Sequence, residues 1–298
     1  MILPAAPRLS VLMTVFNGAP WLAQAIDSTI AQTCADWELV VIENGSTDAS
    51  PQILASYSDQ RIRVVAAPSN IGRTSALRLA FGLANAATIA VLDADDLAAP
   101  TRFERQLDFL QRNPEVSVVG SWTQRIDGEG RDIGTWTPPA DRAALLDRFG
   151  YSNPIVHSSA MYRADLARAV GGYSNDFPYA QDCALWLRLA ALGPPAMIGE
   201  VLCSHRTLAG GMTRKKSGQV LVARDTLATL EYAAAHLPLS ALSRARNLEE
   251  RTIAAVRCGL ALIRSARVSD GCLMLAGAAL RNPKGLFWNR VVRDALLG

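Results

Sequence analysis

The chain has 298 residues, half of them hydrophobic and 19% charged, which excludes disorder and fits one large domain or a domain with an appendage. The net charge of +3 conceals two unlike parts: residues 1–202 carry 15 Lys+Arg and 21 Asp+Glu, giving −6, and residues 203–298 carry 15 and 6, giving +9. No apolar run approaches the ~20 residues of a membrane span. Met1 to Arg8 lacks the charged start and apolar run of a signal peptide, and five scattered cysteines show neither zinc-ligand spacing nor a bridge framework. The expectation is a cytoplasmic chain with reduced thiols.

The first 120 residues alternate strand and helix patterns. Ser10–Val15 is an apolar run with strand character. Pro20–Ala31 follows with Leu22, Ala25, Ile26 and Ile30 on one helical face. Trp37–Ile42 is the second strand, and Gly45-Ser46-Thr47-Asp48 supplies turn and capping chemistry for a helix to about Ser58. Ile62–Ala66 is the third strand, Thr74–Ala86 a helix, and Thr88–Leu92 a fourth strand of the continuous apolar kind that lies buried in parallel sheets. Thr101 with Glu104 forms a capping-box pattern, opening a helix that turns Phe103, Leu107 and Leu110 inward. Val116–Gly120 is the fifth strand. From Ser121 to Tyr179 the pattern is mixed, with a strand at Ser159–Arg163. Asp182–Leu192 is a helix stopped by Gly193-Pro194-Pro195, and after Arg214 the chain reads as helical to Leu297.

Strands alternating with helices predict a mostly parallel, doubly wound α/β sheet flanked by helices. In such sheets ligands bind beyond the carboxyl ends of the strands. Those ends read Phe16-Asn17, Glu43-Asn44 and Asp93-Ala94-Asp95-Asp96. Asp93 and Asp95 are two apart at the end of a buried strand, so both can point the same way. Crowded carboxylates need a cation or raised pKa values, and a hard divalent ion takes one or two of them plus substrate phosphate oxygens. Asp96 fits that cluster or a cap on the next helix equally well.

These motifs, in order, resemble family 2 glycosyltransferases of the GT-A fold over roughly residues 9–215. Ser10 to Gly18 resembles the opening "SVIMPVYNG", and Gln32-Thr33 the "NQT" before the second strand. Glu43 to Asp48 resembles "DDGSTD", Asn70-Ile71-Gly72 resembles "NxG", and Asp93 to Asp96 matches "DADD". Tyr179-Ala180-Gln181-Asp182 with Leu185-Trp186-Leu187-Arg188 resembles "AEDYDLWLRL".

The resemblance implies a domain over 1–215, with a nucleotide-sugar half (1–120) and an acceptor-side half (121–215), and a helical extension over 216–298. It implies that Thr14, Phe16, Asn17, Glu43, Asn44, Asp93, Ala94 and Asp95 hold a nucleotide-sugar donor, with Glu43 on the base. It implies Mn²⁺ or Mg²⁺ on Asp95, Asp93 and His205, the last on a loop closing over the diphosphate or else a plain loop residue. Arg73 reaches a phosphate or uracil, or is a solvated helix start. Asp182 is implied as general base in an inverting transfer, removing the proton of a hydroxyl of a glycan or lipid-linked acceptor, where position alone reads equally as the N-cap of its helix. Gln181 departs from the family's Glu and falls, with Trp186, on the acceptor side; helical spacing alone puts Trp186 in the core. A packed, hydrogen-bonded role is expected for His157.

The implied activity is metal-dependent transfer from a UDP-sugar in surface polysaccharide assembly. Glu43 and Gln181 leave room for a catalytically weakened partner subunit. A dinucleotide oxidoreductase is set aside, because G-x-G-x-x-G does not follow the first strand. No nucleic-acid partner is expected. The basic C-terminal third fits an anionic partner (phosphates, the inner face of an acidic membrane or a phosphorylated lipid) or a solvated helical surface; Thr213-Arg214-Lys215-Lys216 suits phosphates, and Phe287-Trp288 beside Lys284, Arg290 and Arg293 fits an interfacial amphipathic segment, a partner chain as in a homo-oligomer, or packing on its own domain.

Overall fold

The computed structural model describes residues 6–208 and 218–282. The basic stretch 213–216 and the aromatic segment around Phe287-Trp288 lie outside the described residues. In chain order the elements are β1 (Leu9–Val15), α1 (Ala19–Ile30), β2 (Trp37–Glu43), α2 (Ser50–Ala55), β3 (Ile62–Ala66), α3 (Arg73–Leu83), β4 (Thr88–Val91), β5 (Leu97–Ala98) and α4 (Arg102–Arg112). Then follow β6 (Val118–Ile126), β7 (Asp132–Trp136), α5 (Arg142–Phe149), a 3₁₀ turn (His157–Ser159), β8 (Met161–Arg163), α6 (Ala164–Ala169), α7 (Gln181–Ala190) and β9 (Pro195–Arg206). Three helices close the described chain: α8 (Gln219–His236), α9 (Ala241–Arg264) and α10 (Val268–Arg281).

The sheet runs β3-β2-β1-β4-β8-β6-β9-β5, with β7 paired to the C-terminal end of β6. Strands β1 to β4 are parallel, as expected, and β6 is parallel to β9. The sheet as a whole is mixed, because β8 enters antiparallel between β4 and β6, and β5 and β7 also pair antiparallel. The fifth expected strand is longer than its apolar run. It runs on past Gly120 to Ile126 and lies beside β8.

Alternation along the strands feeds two cores, one on each face. Leu9, Val11, Met13 and Val15 of β1 face α1 and α4, where Leu22, Ile26, Phe103, Leu107 and Leu110 are buried. Leu12, Val40 and Ile42 face the other way, onto Ala76, Leu77 and Ala80 of α3 and the α7 residues Leu185, Trp186 and Leu189. Trp186 is fully buried, 5.4 Å from the Tyr162 ring and 6.2 Å from the His157 ring. The acceptor-side place implied for it is corrected: its ring belongs to the core. The capping box is corrected too. Thr101 makes no side-chain cap, and Glu104 instead accepts from the Thr33 hydroxyl at 2.7 Å.

No helix among the described residues is long and apolar enough to cross a membrane. Helices α8 to α10 pack on one another through Leu227, Ile253, Val256 and Ala278, while Ala233, Leu237 and Leu239 join the core that holds Phe149 and Trp186.

Candidate active site

The carboxyl ends of β1, β2 and β4 open into one cleft of about 830 Å³, within the range of small-molecule sites. A smaller cavity of about 250 Å³ between α8 and α9 brings together neither a carboxylate pair nor a histidine. Thr14, Phe16, Asn17, Asn44, Arg73, Asp93, Ala94, Asp95, Gln181, Asp182 and His205 all line the large cleft. Residues separated by up to 191 positions thus converge on one site.

Its first wall is a pair of loops locked to each other. Asn17 adopts φ of +54°, a conformation asparagine tolerates better than most residues. Its Oδ1 accepts the Thr47 N–H at 2.8 Å, and its own N–H donates to Ser46 Oγ at 3.0 Å. Asp48 accepts from the first N–H of both α1 (Ala19, 3.0 Å) and α2 (Ser50, 2.9 Å). Asn44 bridges to the next loop, donating to Asn70 Oδ1 at 3.2 Å and accepting the Ile71 N–H at 3.0 Å. Glu43 does not face the cleft. It is buried, and its carboxylate accepts the Ser46 N–H at 2.6 Å and the Gly45 N–H at 3.3 Å, shaping its own turn. Its longer side chain curls back onto the turn, and Asn44 is the β2-end residue that lines the cleft.

The second wall is the acidic cluster. One oxygen from each of Asp93, Asp95 and Asp96 lies within 4.8 Å of the others. Their surroundings differ sharply. Asp93 pairs with Arg73 Nη2 at 2.6 Å and with His157 Nδ1 at 2.9 Å. Burial alone would raise its pKa, but those two neighbours hold it well below the usual carboxylate range. Asp96 is buried, and Oδ1 accepts the Arg206 N–H at 2.7 Å. Burial, then the charges of Asp95 and Asp93, push its pKa well up. The Asp95 carboxylate accepts no hydrogen bond from another described residue. Burial and the Asp93 charge push it up to about 6.

Asp95 is therefore the carboxylate of this set whose oxygens are free toward the cleft. Its hard oxygen donors fit a divalent cation that completes its shell with phosphate oxygens and water. Arg73, expected as either a phosphate contact or a solvated helix start, is bound to Asp93. Burial works against its charge, and Asp93, Asp182 and Asp95 together outweigh that. His205 does not join the carboxylate cluster among the described residues. It lies near the end of β9 in register with Arg125, and burial lowers its pKa, keeping the ring neutral.

The third wall carries Asp182 in the first turn of α7. Its Oδ2 accepts from Asn153 Nδ2 at 2.9 Å. Gln181 is 4% exposed, and its Oε1, like Asn153 Oδ1, has no hydrogen-bond partner. Orphaned buried acceptors carry a cost unless a ligand meets them.

Sequence reasoning missed three contributors. Asn153 sits in a loop with no motif. His157 was expected to be packed and hydrogen-bonded, and it is, but its role on Asp93 was not read. Its Nε2 lies 3.1 Å from Tyr173 Oη. An ionised Asp93 can only accept, so the Nδ1 proton faces Asp93. Arg206 is 4% exposed and donates to the Asp95 carbonyl at 2.8 Å, to the Asp127 and Gly128 carbonyls, and to Gln24 Oε1. It fixes the backbone beneath Asp95, and an arginine beside the implied His205 was the available signal.

Comparison with known proteins bears on this arrangement. Residues 10–171, more than half of the chain, match the family described as Glycosyl transferase family 2. An uncharacterized glycosyltransferase of Haemophilus influenzae is 29% identical over 211 residues, covering 67% of this chain and 65% of its own length. The UDP-Gal:alpha-D-GlcNAc-diphosphoundecaprenol beta-1,3-galactosyltransferase of Escherichia coli is 27% identical over 191 residues, covering 63% of this chain and 69% of its own length. The chain spans about two thirds of the length of the first of these relatives. Among solved structures, the mannosyltransferase PcManGT from Pyrobaculum calidifontis, in complex with GDP-Man and Mn²⁺, superimposes with a TM-score of 0.64 at 18% identity, covering 99% of this chain and 86% of that one. That likeness shows a GT-A-type fold, and with the family match over more than half its length the chain belongs to glycosyl transferase family 2.

Proposed function

We propose that this protein transfers a sugar from a nucleotide-diphosphate donor, a UDP-sugar, to a hydroxyl of a glycan or lipid-linked acceptor with inversion at the anomeric carbon. The observation that carries this reading is the meeting of Asp95, Arg73 and Asp182 in one cleft with the ends of β1 and β2. The galactosyltransferase relative, whose name states a UDP-sugar donor and a lipid-diphosphate acceptor, supports the choice of both substrates.

Each group has a task within this reading. Phe16, half exposed at the cleft, stacks on the base, and Asn17 and Asn44 hold the two loops that frame it. Asp95, with Asp93 behind it, would hold Mn²⁺ or Mg²⁺. Bound there, the cation supplies positive charge against the departing diphosphate. Arg73 adds a second positive charge on the same side. Asp182 accepts the proton of the acceptor hydroxyl as its oxygen bonds to the anomeric carbon and the bond to the diphosphate breaks. Asn153 holds one oxygen of Asp182, leaving the other for that proton. The unpartnered carbonyls of Gln181 and Asn153 accept from neighbouring hydroxyls of the sugar.

A panel of UDP-, GDP- and dTDP-sugars tests this by Mn²⁺-dependent binding and slow donor hydrolysis. UDP-sugars bind, and Asp182→Asn keeps binding while losing transfer. Absence of metal-dependent binding across the panel would overturn the donor assignment, and transfer surviving in Asp182→Asn would overturn the base.

A further inference from the structure

Asp182 stands in the first turn of α7, so the loop entering that helix decides where its carboxylate lies. That loop is held from the C-terminal helices. Asp225 on α8 is 1% exposed, and its Oδ2 accepts the backbone N–H of Tyr179 at 2.9 Å. Its Oδ1 pairs with Arg224 at 2.8 Å, and Arg224 donates to the Asp176 carbonyl at 3.0 Å. Tyr179, which lines the cleft, rests its ring against Gly218 at the start of α8. A Cβ at Gly218 would meet Tyr179 Oη at 2.6 Å and Cζ at 2.8 Å, so a side chain there displaces the ring. Aspartate inside a helix is unfavourable, and a buried carboxylate is costly unless engaged. Asp225 meets both conditions, and its engagement is with the loop leading to Asp182.

A second set of bonds reaches Asp182 from the opposite side. Asn153, which donates to Asp182 Oδ2, belongs to the loop after α5. Asn247 on α9 is 2% exposed and donates from Nδ2 to the Gly150 carbonyl at 2.6 Å and the Leu230 carbonyl at 2.8 Å. Ser243 Oγ donates to the Asp147 carbonyl at 2.7 Å, and Asp147 Oδ1 accepts the Ser240 N–H at 2.8 Å. Helix α9 enters so closely that a Cβ on Gly150 would collide with Ser243 Oγ and come within 2.9 Å of Leu239 Cδ1. None of the hydrogen bonds given above for Asp93, Asn17 or Asn44 reaches these helices.

We propose that the C-terminal helices are part of the transfer machinery, with Asp225 and Asn247 as positioning residues that set the Asp182 carboxylate through two separate loops. This rests on Asp182 being the base. The helices act on the acceptor side of the cleft and leave the donor side alone. A small displacement of a reacting group costs up to about a hundredfold in rate, so the signature is a loss confined to turnover.

The experiment uses the full chain and compares Asp225→Ala, Asn247→Ala, Asp225→Asn and Asp182→Asn. For each, donor Kd, transfer kcat and melting temperature are measured, with the donor that binds in the panel above. Asp225→Ala and Asn247→Ala lower kcat roughly 10–100-fold while donor Kd stays within about twofold. Asp225→Asn recovers most of the rate, because its amide oxygen accepts the same Tyr179 N–H. Should Asp225→Ala fail to fold, Gly218→Ala takes its place: it moves the Tyr179 ring without removing a buried charge, and shows the same kcat-only loss. Unchanged kcat in the folded variants, or equal loss of donor binding and transfer, overturns the positioning role while leaving the base intact. Transfer surviving in Asp182→Asn removes the base itself.

Discussion

Asp93 and Asp95 are two residues apart, and their charges act on the fold in opposite directions. Asp93 is held by Arg73 and His157, so ionisation suits it. Asp95 has no such partner and carries its charge against burial and against Asp93, which together raise its pKa to about 6. A carboxyl whose folded pKa exceeds its unfolded value of about 3.9 contributes stability that is full below the unfolded value and lost as pH rises through the folded one. In chelator, Asp95→Asn removes that loss. It is therefore more stable than the parent at pH 7 by roughly 1–2 kcal/mol, discounted for the solvent in the cleft, and the gain vanishes below about pH 4. Asp93→Asn strands Arg73 and is less stable at pH 7 by roughly 1–3 kcal/mol. Urea midpoints between pH 4 and 8 check both signs, and a pH-independent Asp95→Asn difference would show that no strained carboxylate sits there. On the proposed function, this exchange of stability for an uncompensated charge keeps a cation position open.

At the scale of elements, what is legible in the sequence is local periodicity, and what is not is pairing between distant segments. Helices α1 and α4 are readable because Leu22, Ala25 and Ile26, and Phe103, Leu107 and Leu110, repeat at the helical period. The far half of β6 is hidden because Trp122 to Arg125 mixes polar residues into an edge that β7 and β9 complete. Ser159–Arg163 reads locally as a strand, but nothing local announces that β8 enters between β4 and β6. The strand-end rule found the cleft, yet Glu43 turned inward because a Glu one methylene longer than Asp reaches its own turn. Asp48 shows how elements share a cap: neither α1 nor α2 is capped by the side chain of its own N-cap residue, and this one carboxylate serves both. Burial would raise its pKa, but hydrogen bonds from Ser50 and Ala19 prevail and lower it. Asp48→Ala therefore costs roughly 1–2 kcal/mol near neutral pH, and Asp48→Asn less, with the Asp48→Ala deficit fading as pH falls through the lowered pKa. The same change loosens Asn17 to Ala19 and weakens donor binding. An unaltered denaturation midpoint in Asp48→Ala would show that the two helix starts are satisfied by water instead.

The whole molecule is organised so that its last helices share the core of the domain they follow. Helices α8 to α10 have apolar contacts of their own around Ile253 and Val256. Ala233, Leu237 and Leu239, however, are buried in the same cluster as Leu145, Phe149 and Trp186, the last on the helix whose first turn carries Asp182. A segment that folds separately would keep its large apolar groups to itself; one that shares a core transmits the loss of a side chain to both parts. Leu237→Ala removes a side chain 5% exposed at the joint. It costs roughly 2–4 kcal/mol of the stability of the entire chain, since such a cavity closes only partly. The signature is a single transition: far-UV circular dichroism, dominated by helices, and tryptophan fluorescence, which includes Trp37 on β2 far from the joint, shift together to a lower midpoint in the variant. Two separated transitions, with fluorescence unmoved, would mean that the helices are an independent unit, and the route from Asp225 and Asn247 to Asp182 would then lack the rigid support on which it depends.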